Sequence, residues 1–353
     1  MSRAVRFLFA AALLASGCDG PVPPQSVSAN RLRRLPADHE LAATVHASFY
    51  PLAFFAEELV RGTELRVICP VPPGEDPAYW EPTRAEARAM RDGPLTFVHG
   101  ASFERWPGYT VLSPARTVVA ADGMRDALRP YDEGATHTHG PPRSPSTGLA
   151  ESSEPSARGG SGGSGGSGVS EPSTELVHRG IDAHTWLAPD LAQREAEIVL
   201  SGLQRAFPAH AERFAANHAA LGPSFEAWRR SVEATTRALS GARLVANHPA
   251  YEYLAHGHGW HIDNVDLDPE ELPDATALEE LSALAGAGAR LLLWESQPAP
   301  DVERAVAASG LRSVVFSPCE TLDEDQRATG ATFFTIMLAN LERLRSALPT
   351  DPK

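Results

Sequence analysis

From residue 41 onward, the hydrophobic positions alternate between short apolar runs and longer segments with the spacing of a helix. Apolar runs over 41–49, 65–69 and 95–98 predict strands, and helical spacing predicts helices that begin at Tyr50 and at Pro82. Strands that alternate with helices in this way favour a parallel sheet in an α/β domain. The ligand crevice of such a sheet lies beyond the carboxyl ends of its strands.

The second half of the chain shows the same alternation. The pattern predicts strands over 242–246, 291–294 and 313–316 and helices over 251–254, 301–309 and 332–348. Between the halves, a predicted helix over 190–207 is followed by a longer helical pattern that runs to Leu239, with a break expected at Gly222-Pro223. A long helix fixes the orientation of two halves more firmly than a loop would.

These patterns predict an α/β fold of two small lobes, each with a parallel sheet, joined by one long rigid helix. The predicted boundaries are an N-terminal lobe over 41–206, a linking helix over 207–240 and a C-terminal lobe over 241–353. A chain of 353 residues with 42% hydrophobic residues suffices for two cores of ordinary size.

The first residues predict export. A basic start over 1–6 and an apolar run over 7–14, too short to span a bilayer, precede Ala15-Ser16-Gly17-Cys18. This pattern is typical of a lipoprotein signal over 1–18, in which Cys18 becomes the lipidated first residue. Residues 19–40 then read as a flexible tether. We expect a protein anchored by lipid at the cell envelope, in the periplasm or on the outer face of the cytoplasmic membrane. The alternative is an ordinary cleaved signal with an incidental cysteine.

Between 133 and 173 the periodic pattern disappears. His137 and His139 lead into serines and prolines and then into a Gly/Ser repeat that cannot bury a core. We predict a disordered loop inside the N-terminal lobe. The two imidazoles are suited to capturing a soft or borderline cation, and a solvated insertion is the alternative.

Charge and cysteine content narrow the function. The formal net charge of −14 argues against nucleic acid as a partner and suits an exported protein that handles cations. Besides Cys18, the chain has only Cys69 and Cys319. In an oxidising compartment such a pair favours a disulfide over a thiol site, although the sequence does not measure their separation.

The stretch over 182–189, Asp-Ala-His-Thr-Trp-Leu-Ala-Pro, stands between the loop and the helix that follows it. His184 lies beside Trp186, an arrangement in which a neutral imidazole serves as a metal ligand. The alternative is a histidine that only packs or caps.

Several motifs stand in a definite order along the chain: Phe49-Tyr50-Pro51-Leu52, Gly74-Glu75-Asp76-Pro77, His99-Gly100 with Glu104, a His-bearing loop, the stretch 182–189, and Asn247-His248-Pro249-Ala250-Tyr251. The ordered set resembles the zinc and manganese solute-binding proteins of bacterial ABC importers. The last helix agrees, with Phe334, Met337, Asn340, Leu341 and Leu344. The resemblance implies a metal held in the crevice between the two lobes, and a membrane permease that accepts the ion.

The resemblance also implies metal ligands. His184 and His248 match the second and third ligand histidines of that family. The sequence departs from the family at the other two positions, where Ala78 replaces the first histidine and Ser317 replaces an aspartate before a proline.

Two imidazoles alone make a weak site, because zinc generally takes four ligands, or three and a water. The sequence offers candidates to complete the set: His137, His139, His99, Glu295, Glu320 and Glu75. Each has a rim or surface role as its alternative. Cys69 and Cys319 lie at predicted strand ends that face the same crevice, and they either cross-link the lobes or supply thiolates. His256, His258 and His261 resemble a second metal tract, but they follow a helix at a Gly-rich turn, and a turn without a metal role is the favoured alternative.

The predicted function is that of an extracytoplasmic substrate-binding protein, a monomer and not an enzyme. It would bind Zn²⁺ in preference to Mn²⁺ or another divalent ion, because imidazole is a good ligand for zinc. It would then deliver the ion to an ABC importer permease. One alternative keeps the fold, with a degenerate metal site that binds a partner or an organic ligand. Another is a zinc hydrolase with Glu252 or Glu295 as general base, although no hydrolase or phosphate-loop motif is present.

Overall fold

A computed structural model describes residues 43–130 and 181–348. In this part of the chain, eight strands form two four-stranded sheets in which every pairing is parallel. The N-terminal sheet has the order β2-β1-β3-β4 and the C-terminal sheet the order β6-β5-β7-β8. The strands are β1 (Thr44–Ala47), β2 (Arg66–Ile68), β3 (Leu95–Val98), β4 (Thr117–Val119), β5 (Arg243–Ala246), β6 (His261–Asn264), β7 (Leu291–Trp294) and β8 (Arg312–Val315).

The two sheets repeat one topology, and this places the crevice. In each sheet the first strand lies between the second and the third. The strand order therefore switches direction at β1 in one sheet and at β5 in the other. Strands β1, β3 and β7 are buried along their whole length, as expected for central strands covered on both faces. The segments that follow the carboxyl ends of these strands carry the polar residues described below.

Helices cover the sheets and join them. The described helices are α1 (Tyr50–Val60), α2 (Arg84–Asp92), α3 (Pro189–Ala206), α4 (Ala211–Leu239), α5 (Glu252–His258), α6 (Ala275–Gly286), α7 (Pro300–Ala308), α8 (Glu324–Thr329) and α9 (Phe333–Ala347). Their ends follow local sequence signals. Thr83 and Thr332 form capping boxes at the starts of α2 and α9. Pro51 and Pro189 occupy the first turns of α1 and α3, where the missing N–H costs nothing.

The linking helix is continuous, so the break predicted at Gly222-Pro223 is wrong. Pro223 lies inside the 29-residue helix α4, and both Gly222 and Pro223 are exposed. A proline on the solvent side of a helix leaves the freed carbonyl accessible to water, which lowers the cost of the lost hydrogen bond.

Helix α4 packs on both lobes through aromatic side chains. Phe225 stacks on Phe55 of the N-terminal lobe at 6.0 Å between ring centroids, and it meets Phe334 of the C-terminal lobe edge-on at 4.9 Å. Trp228 adds an edge contact with Phe333 at 5.5 Å. One continuous apolar core therefore extends through both lobes and the helix, which confirms the predicted fold class.

Strands β4 and β6 and helix α8 were missing from the sequence prediction, and for α6 the acidic stretch over 266–280 indicated only a helix start. The three missing elements are short and only partly buried, so they carry little periodic signal. The predicted signal over 1–18 with Cys18, the tether over 19–40, and the loop with His137 and His139 lie outside the described residues. In the described part, no helix combines the length and the hydrophobicity needed to cross a bilayer.

Candidate metal centre

His184 is held in a fixed orientation by a carboxylate two residues before it. Asp182 Oδ1 accepts the backbone N–H of His184 at 2.9 Å and also meets His184 Nδ1 at 2.7 Å. The ring therefore directs its other nitrogen, Nε2, away from Asp182 and toward the C-terminal lobe. There Nε2 lies 3.5 Å from Glu320 Oε1. A histidine oriented in this way by a carboxylate is the usual arrangement of a metal-binding imidazole.

The segment that carries Asp182 is tied to both lobes. Its backbone N–H donates to Arg129 O at 2.8 Å, and its carbonyl accepts the hydroxyl of Tyr253 at 2.6 Å. The Tyr253 hydroxyl in turn accepts the backbone N–H of Arg129 at 3.1 Å. Because Tyr253 lies on α5, the C-terminal lobe helps to fix the N-terminal lobe segment that orients His184.

Burial and two carboxylates act in opposite directions on His184. Burial alone would lower the pKa of the imidazole, but hydrogen bonds to Asp182 and Glu320 outweigh it and raise the pKa to about 10. The ring is therefore an imidazolium at neutral pH in this arrangement. A metal ion that binds Nε2 must displace that proton.

The C-terminal lobe supplies three more polar side chains around the same point. His248 follows β5, and its ring stands edge-on to that of His184 with 5.5 Å between centroids. Glu295 follows β7, and Glu320 follows β8. Burial raises the pKa of Glu295 to about 7. The charge of Glu320 adds to this rise, and the charge of His184 opposes it.

Asp76 is a residue of this cluster to which the sequence prediction gave no ligand role. Burial raises its pKa to about 7, with further increases from the charges of Glu320 and Glu295. Its Oδ1 accepts the backbone N–H of Ala78 at 2.8 Å. Asp76 therefore places a carboxylate beside the position where the resemblance implied a histidine. The signal available in the sequence was the position of Asp76 in the Asp76-Pro77 pair, which lies in the loop after β2.

His99 lies in an aromatic pocket. Its ring packs edge-on against Phe49 at 5.7 Å, Phe103 at 5.8 Å and Trp186 at 5.2 Å between centroids. Neither ring nitrogen has a hydrogen bond of normal geometry among the described residues. Burial lowers the pKa of His99 to about 3, the charge of His184 adds to this, and the backbone of Ala183 opposes it. The ring is therefore neutral and surrounded by apolar groups.

Comparison with known proteins identifies the family. A family model described as "ZnuA: Zinc-uptake complex component A periplasmic" matches residues 45–347 of this chain. The chain belongs to the ZnuA family. The resemblance inferred from the ordered motifs is therefore confirmed.

Relatives and solved structures agree with the ZnuA assignment. The zinc-binding protein AdcA of Streptococcus pyogenes serotype M3 is 26% identical over 314 residues, which cover 87% of this chain and 56% of AdcA. The chain thus spans little more than half of that relative. The high-affinity zinc uptake system protein ZnuA of Bacillus subtilis is 22% identical over 307 residues, which cover 86% of this chain and 87% of that protein.

The solved structures establish the shared fold. The metal-dependent lipoprotein YcdH from Bacillus subtilis superposes with a TM-score of 0.67 at 20% identity, over 86% of this chain and 98% of that one. Zn(II)-bound AdcA from Streptococcus pneumoniae gives a TM-score of 0.68 at 18% identity, over 87% of this chain and 57% of that one.

Ser317, the second departure from the family pattern, has a structural role in this member. Its Oγ accepts the backbone N–H of Cys319 at 3.1 Å, and its own backbone bonds to the side chain of Asn340. The turn that Ser317 begins carries Glu320 three residues later. The carboxylate of Glu320 thus approaches His184 from the part of the chain where the resemblance implied an aspartate.

Cys69 and Cys319 are free thiols, so the disulfide expected from the sequence is not formed in this structure. Cys69 packs at the end of β2, and Cys319 is buried in a left-handed turn with φ of 61°. Burial raises the pKa of Cys69 to about 11 and that of Cys319 well above its ordinary value. Such thiols resist ionisation, which disfavours the thiolate-ligand alternative.

The three histidines read as a second metal tract lie on different elements. His256 is exposed on α5 and pairs with the guanidinium of Arg129 at 2.9 Å. His258 ends α5, while His261 begins β6. Among residues 43–130 and 181–348, no group of three or more His, Cys, Asp or Glu side chains stands ready to hold a metal ion. This applies to the crevice as well, where His184 Nε2 and Glu320 face each other.

Proposed function

We propose that this chain captures a divalent transition metal, with Zn²⁺ preferred, in the crevice between its lobes and delivers it to the permease of an ABC importer. The observation that carries the proposal is the orientation of His184. Asp182 holds Nδ1 while Nε2 faces Glu320, and His248 stands beside the same ring. Membership of the zinc-uptake component family supports this function.

His184, His248 and Glu320 are the proposed ligands. Nitrogen from two imidazoles and oxygen from one carboxylate give a zinc-type donor set, with a water or a further carboxylate as the fourth ligand. Glu295 or Asp76 supplies that carboxylate in our proposal, because the charge of Glu320 raises the pKa of both, which places both near it. The ion would replace the proton on His184 Nε2, which faces Glu320. Small side-chain rotations would therefore complete a site that is not preformed.

The donor set bears on which metal is bound. Two imidazoles favour zinc over manganese, which prefers carboxylate and water oxygen. Asp76, Glu295 and Glu320 place carboxylate oxygens beside the two imidazoles of the crevice. We still expect zinc to bind more tightly, by a narrower margin than a site built of histidines alone would give.

The cargo would leave by a small movement of the lobes. Helix α4 packs on both lobes through Phe225, so a wide hinge opening would break the contacts with Phe55 and Phe334. A change of a few ångströms between His184 and Glu320 is enough to lose a ligand, because metal bonds are short. Docking on the permease would supply that change.

The proposed function also includes a cellular location and an oligomeric state. We propose that the protein works outside the cytoplasm as a monomer, anchored by lipid at Cys18, and that His137 and His139 assist capture. The family is described as periplasmic, and the related AdcA of Streptococcus pneumoniae is described as a zinc-binding lipoprotein. We propose this substrate-binding role in preference to the zinc-hydrolase alternative. Glu252, one base considered for it, accepts a hydrogen bond from Asn264 at 2.7 Å.

Zinc titration of the purified, chelator-stripped protein tests the proposal. We expect one tightly bound ion per chain and no turnover of ester or peptide substrates. The His184→Ala/His248→Ala double variant should lose this binding. His210→Ala provides the matched control, because His210 pairs with Glu64 outside the cluster. A wild-type protein that binds no zinc, or a double variant with wild-type affinity, would show the proposal to be wrong.

A further inference from the structure

The indole of Trp186 joins the two lobes by a hydrogen bond. Its Nε1 donates to the carbonyl oxygen of Pro318 at 2.8 Å, although 132 residues separate the two. The ring is fully buried, and its centroid lies 5.2 Å from that of His184. Trp186 follows His184 by two residues, and Pro318 precedes Glu320 by two. A single bond therefore links the segments that carry two proposed ligands from opposite lobes.

The turn that carries Glu320 receives a second bond from the N-terminal lobe. The backbone N–H of Tyr50 donates to the carbonyl of Glu320 at 3.1 Å. Between the two bonded carbonyls lies Cys319, a non-glycine residue in the left-handed region with φ of 61°. Few residues adopt that conformation unless the surroundings impose it. The turn is thus fixed by contacts on both sides of Cys319.

The C-terminal lobe holds the same turn from the other side. Asn340, fully buried on α9, donates from Nδ2 to Ser317 O at 2.7 Å and accepts the backbone N–H of Ser317 at Oδ1 at 3.1 Å. Asn340 therefore fixes the start of the turn, and Trp186 and Tyr50 fix its remainder. The position of Glu320 depends on hydrogen bonds from both lobes at once.

We propose that Trp186 is a positioning residue for metal binding, whose hydrogen bond to Pro318 sets the separation between His184 Nε2 and the Glu320 carboxylate. The indole donates to a carbonyl and not to a ligand side chain, so it acts through the geometry of the turn. This inference rests on the proposed function, because it assumes that both side chains meet the ion. It adds a role beyond the packing expected of a buried tryptophan.

Trp186→Phe tests the proposal, since phenylalanine keeps a buried aromatic ring and removes only the N–H and part of the ring area. The affinity for Zn²⁺ alone should fall by roughly 10- to 100-fold, the loss typical of removing a group that orients a metal ligand. Trp260→Phe is the matched control. It removes another largely buried indole hydrogen bond, from Trp260 Nε1 to Thr236 Oγ1 at 2.8 Å. That variant should bind zinc like the wild type.

A double-mutant cycle with Glu320→Gln separates positioning from general loosening of the fold. If Trp186 acts through Glu320, then Trp186→Phe costs affinity in the wild-type background and little in the Glu320→Gln background. The visible spectrum of bound Co²⁺ should change in the same way in both single variants, because it reports coordination geometry. Equal losses in both backgrounds, or an unchanged Co²⁺ spectrum for Trp186→Phe, would overturn the proposal.

Asn340→Asp keeps the proposal testable if Trp186→Phe does not fold. The change is isosteric, retains the acceptor for the Ser317 N–H and removes the donor to Ser317 O, so it loosens the same turn from the other lobe. We expect the loss of zinc affinity in Asn340→Asp to be non-additive with the loss in Glu320→Gln. Additive losses of affinity would count against a fixed turn.

Wild-type zinc binding is measured first. Its absence contradicts the proposed function, while binding with an additive cycle contradicts only the role of Trp186.

Discussion

His99 and His184 both pack against the indole of Trp186, each with 5.2 Å between ring centroids, and both are almost fully buried. Yet the pKa of His99 is lowered to about 3, and that of His184 is raised to about 10. Burial disfavours the charged form of both rings. The difference lies in the carboxylates, because His184 has Asp182 and Glu320 while His99 has aromatic neighbours.

Under the proposed function, this comparison indicates how a metal-binding histidine would differ from a packing one. An aromatic wall and burial are common to both rings, so neither feature identifies a ligand. Of the two rings, only His184 has a carboxylate at each nitrogen, Asp182 at Nδ1 and Glu320 at Nε2. The same logic explains why a histidine at a strand end, such as His99, is a weak candidate by position alone.

The largest expected effect comes from removing the imidazole of His184. His184→Ala should reduce zinc affinity by more than the roughly 10- to 100-fold that loss of an orienting group costs, since it removes a ligand outright. His99→Leu, measured by the same competition titration, should retain wild-type affinity. If both substitutions reduced affinity equally, the distinction between the two rings would be wrong.

The next effect concerns the carboxylate that orients His184. Asp182→Asn should lower zinc affinity by roughly 10- to 100-fold, because the ring loses the anionic partner that fixes Nδ1. The pKa of His184 should also fall, which nuclear magnetic resonance of the ring protons would detect. An unchanged pKa with unchanged affinity would remove Asp182 from the account.

The dependence of affinity on pH follows from the raised pKa of His184. A proton competes with the metal below pH 10, so the apparent affinity should rise about tenfold per pH unit between pH 7 and 9. An unperturbed imidazole would give a flat profile there, since its pKa is about 6.5. In the metal-free protein this raised pKa stabilises the fold fully below pH 6.5, and that stability is lost as pH rises through 10. Competition titrations across this range decide between the two profiles.

The smallest effect is on stability in acid. The pKa of His99 is depressed, so its contribution to stability is present above pH 6.5 and is lost as pH falls toward 3. His99→Leu should therefore lose less thermal stability than the wild type between pH 7.5 and pH 5.5. Equal losses on thermal unfolding would show that His99 is already solvated or paired.

The sequence was most informative where burial and periodicity coincide. Strands β1, β3 and β7 are mostly apolar and fully buried, and α1 has a proline in its first turn, so each could be predicted. Strand β6 could not, because it is an edge strand with polar residues that the ladder with β5 stabilises. The helical pattern also predicted a break at Pro223, but α4 continues through this residue, which is exposed to solvent.

The proposed site could be predicted in part. His184 and His248 follow from the ordered motifs, and the aspartate two residues before His184 was a local signal, since aspartate side chains accept the N–H two residues on. The choice of Glu320 over its alternatives required the fold, which brings it to 3.5 Å from His184 Nε2. The bond from Trp186 to Pro318 joins residues 132 apart, and no local pattern indicates such a contact.

Zinc K-edge X-ray absorption of the stoichiometric complex tests the central claim most directly. The account predicts two imidazole nitrogens at about 2.0–2.1 Å with oxygen completing the set, and one imidazole fewer after His184→Ala. A first coordination sphere of oxygen alone, or one with sulfur at about 2.3 Å from Cys69 or Cys319, would contradict it.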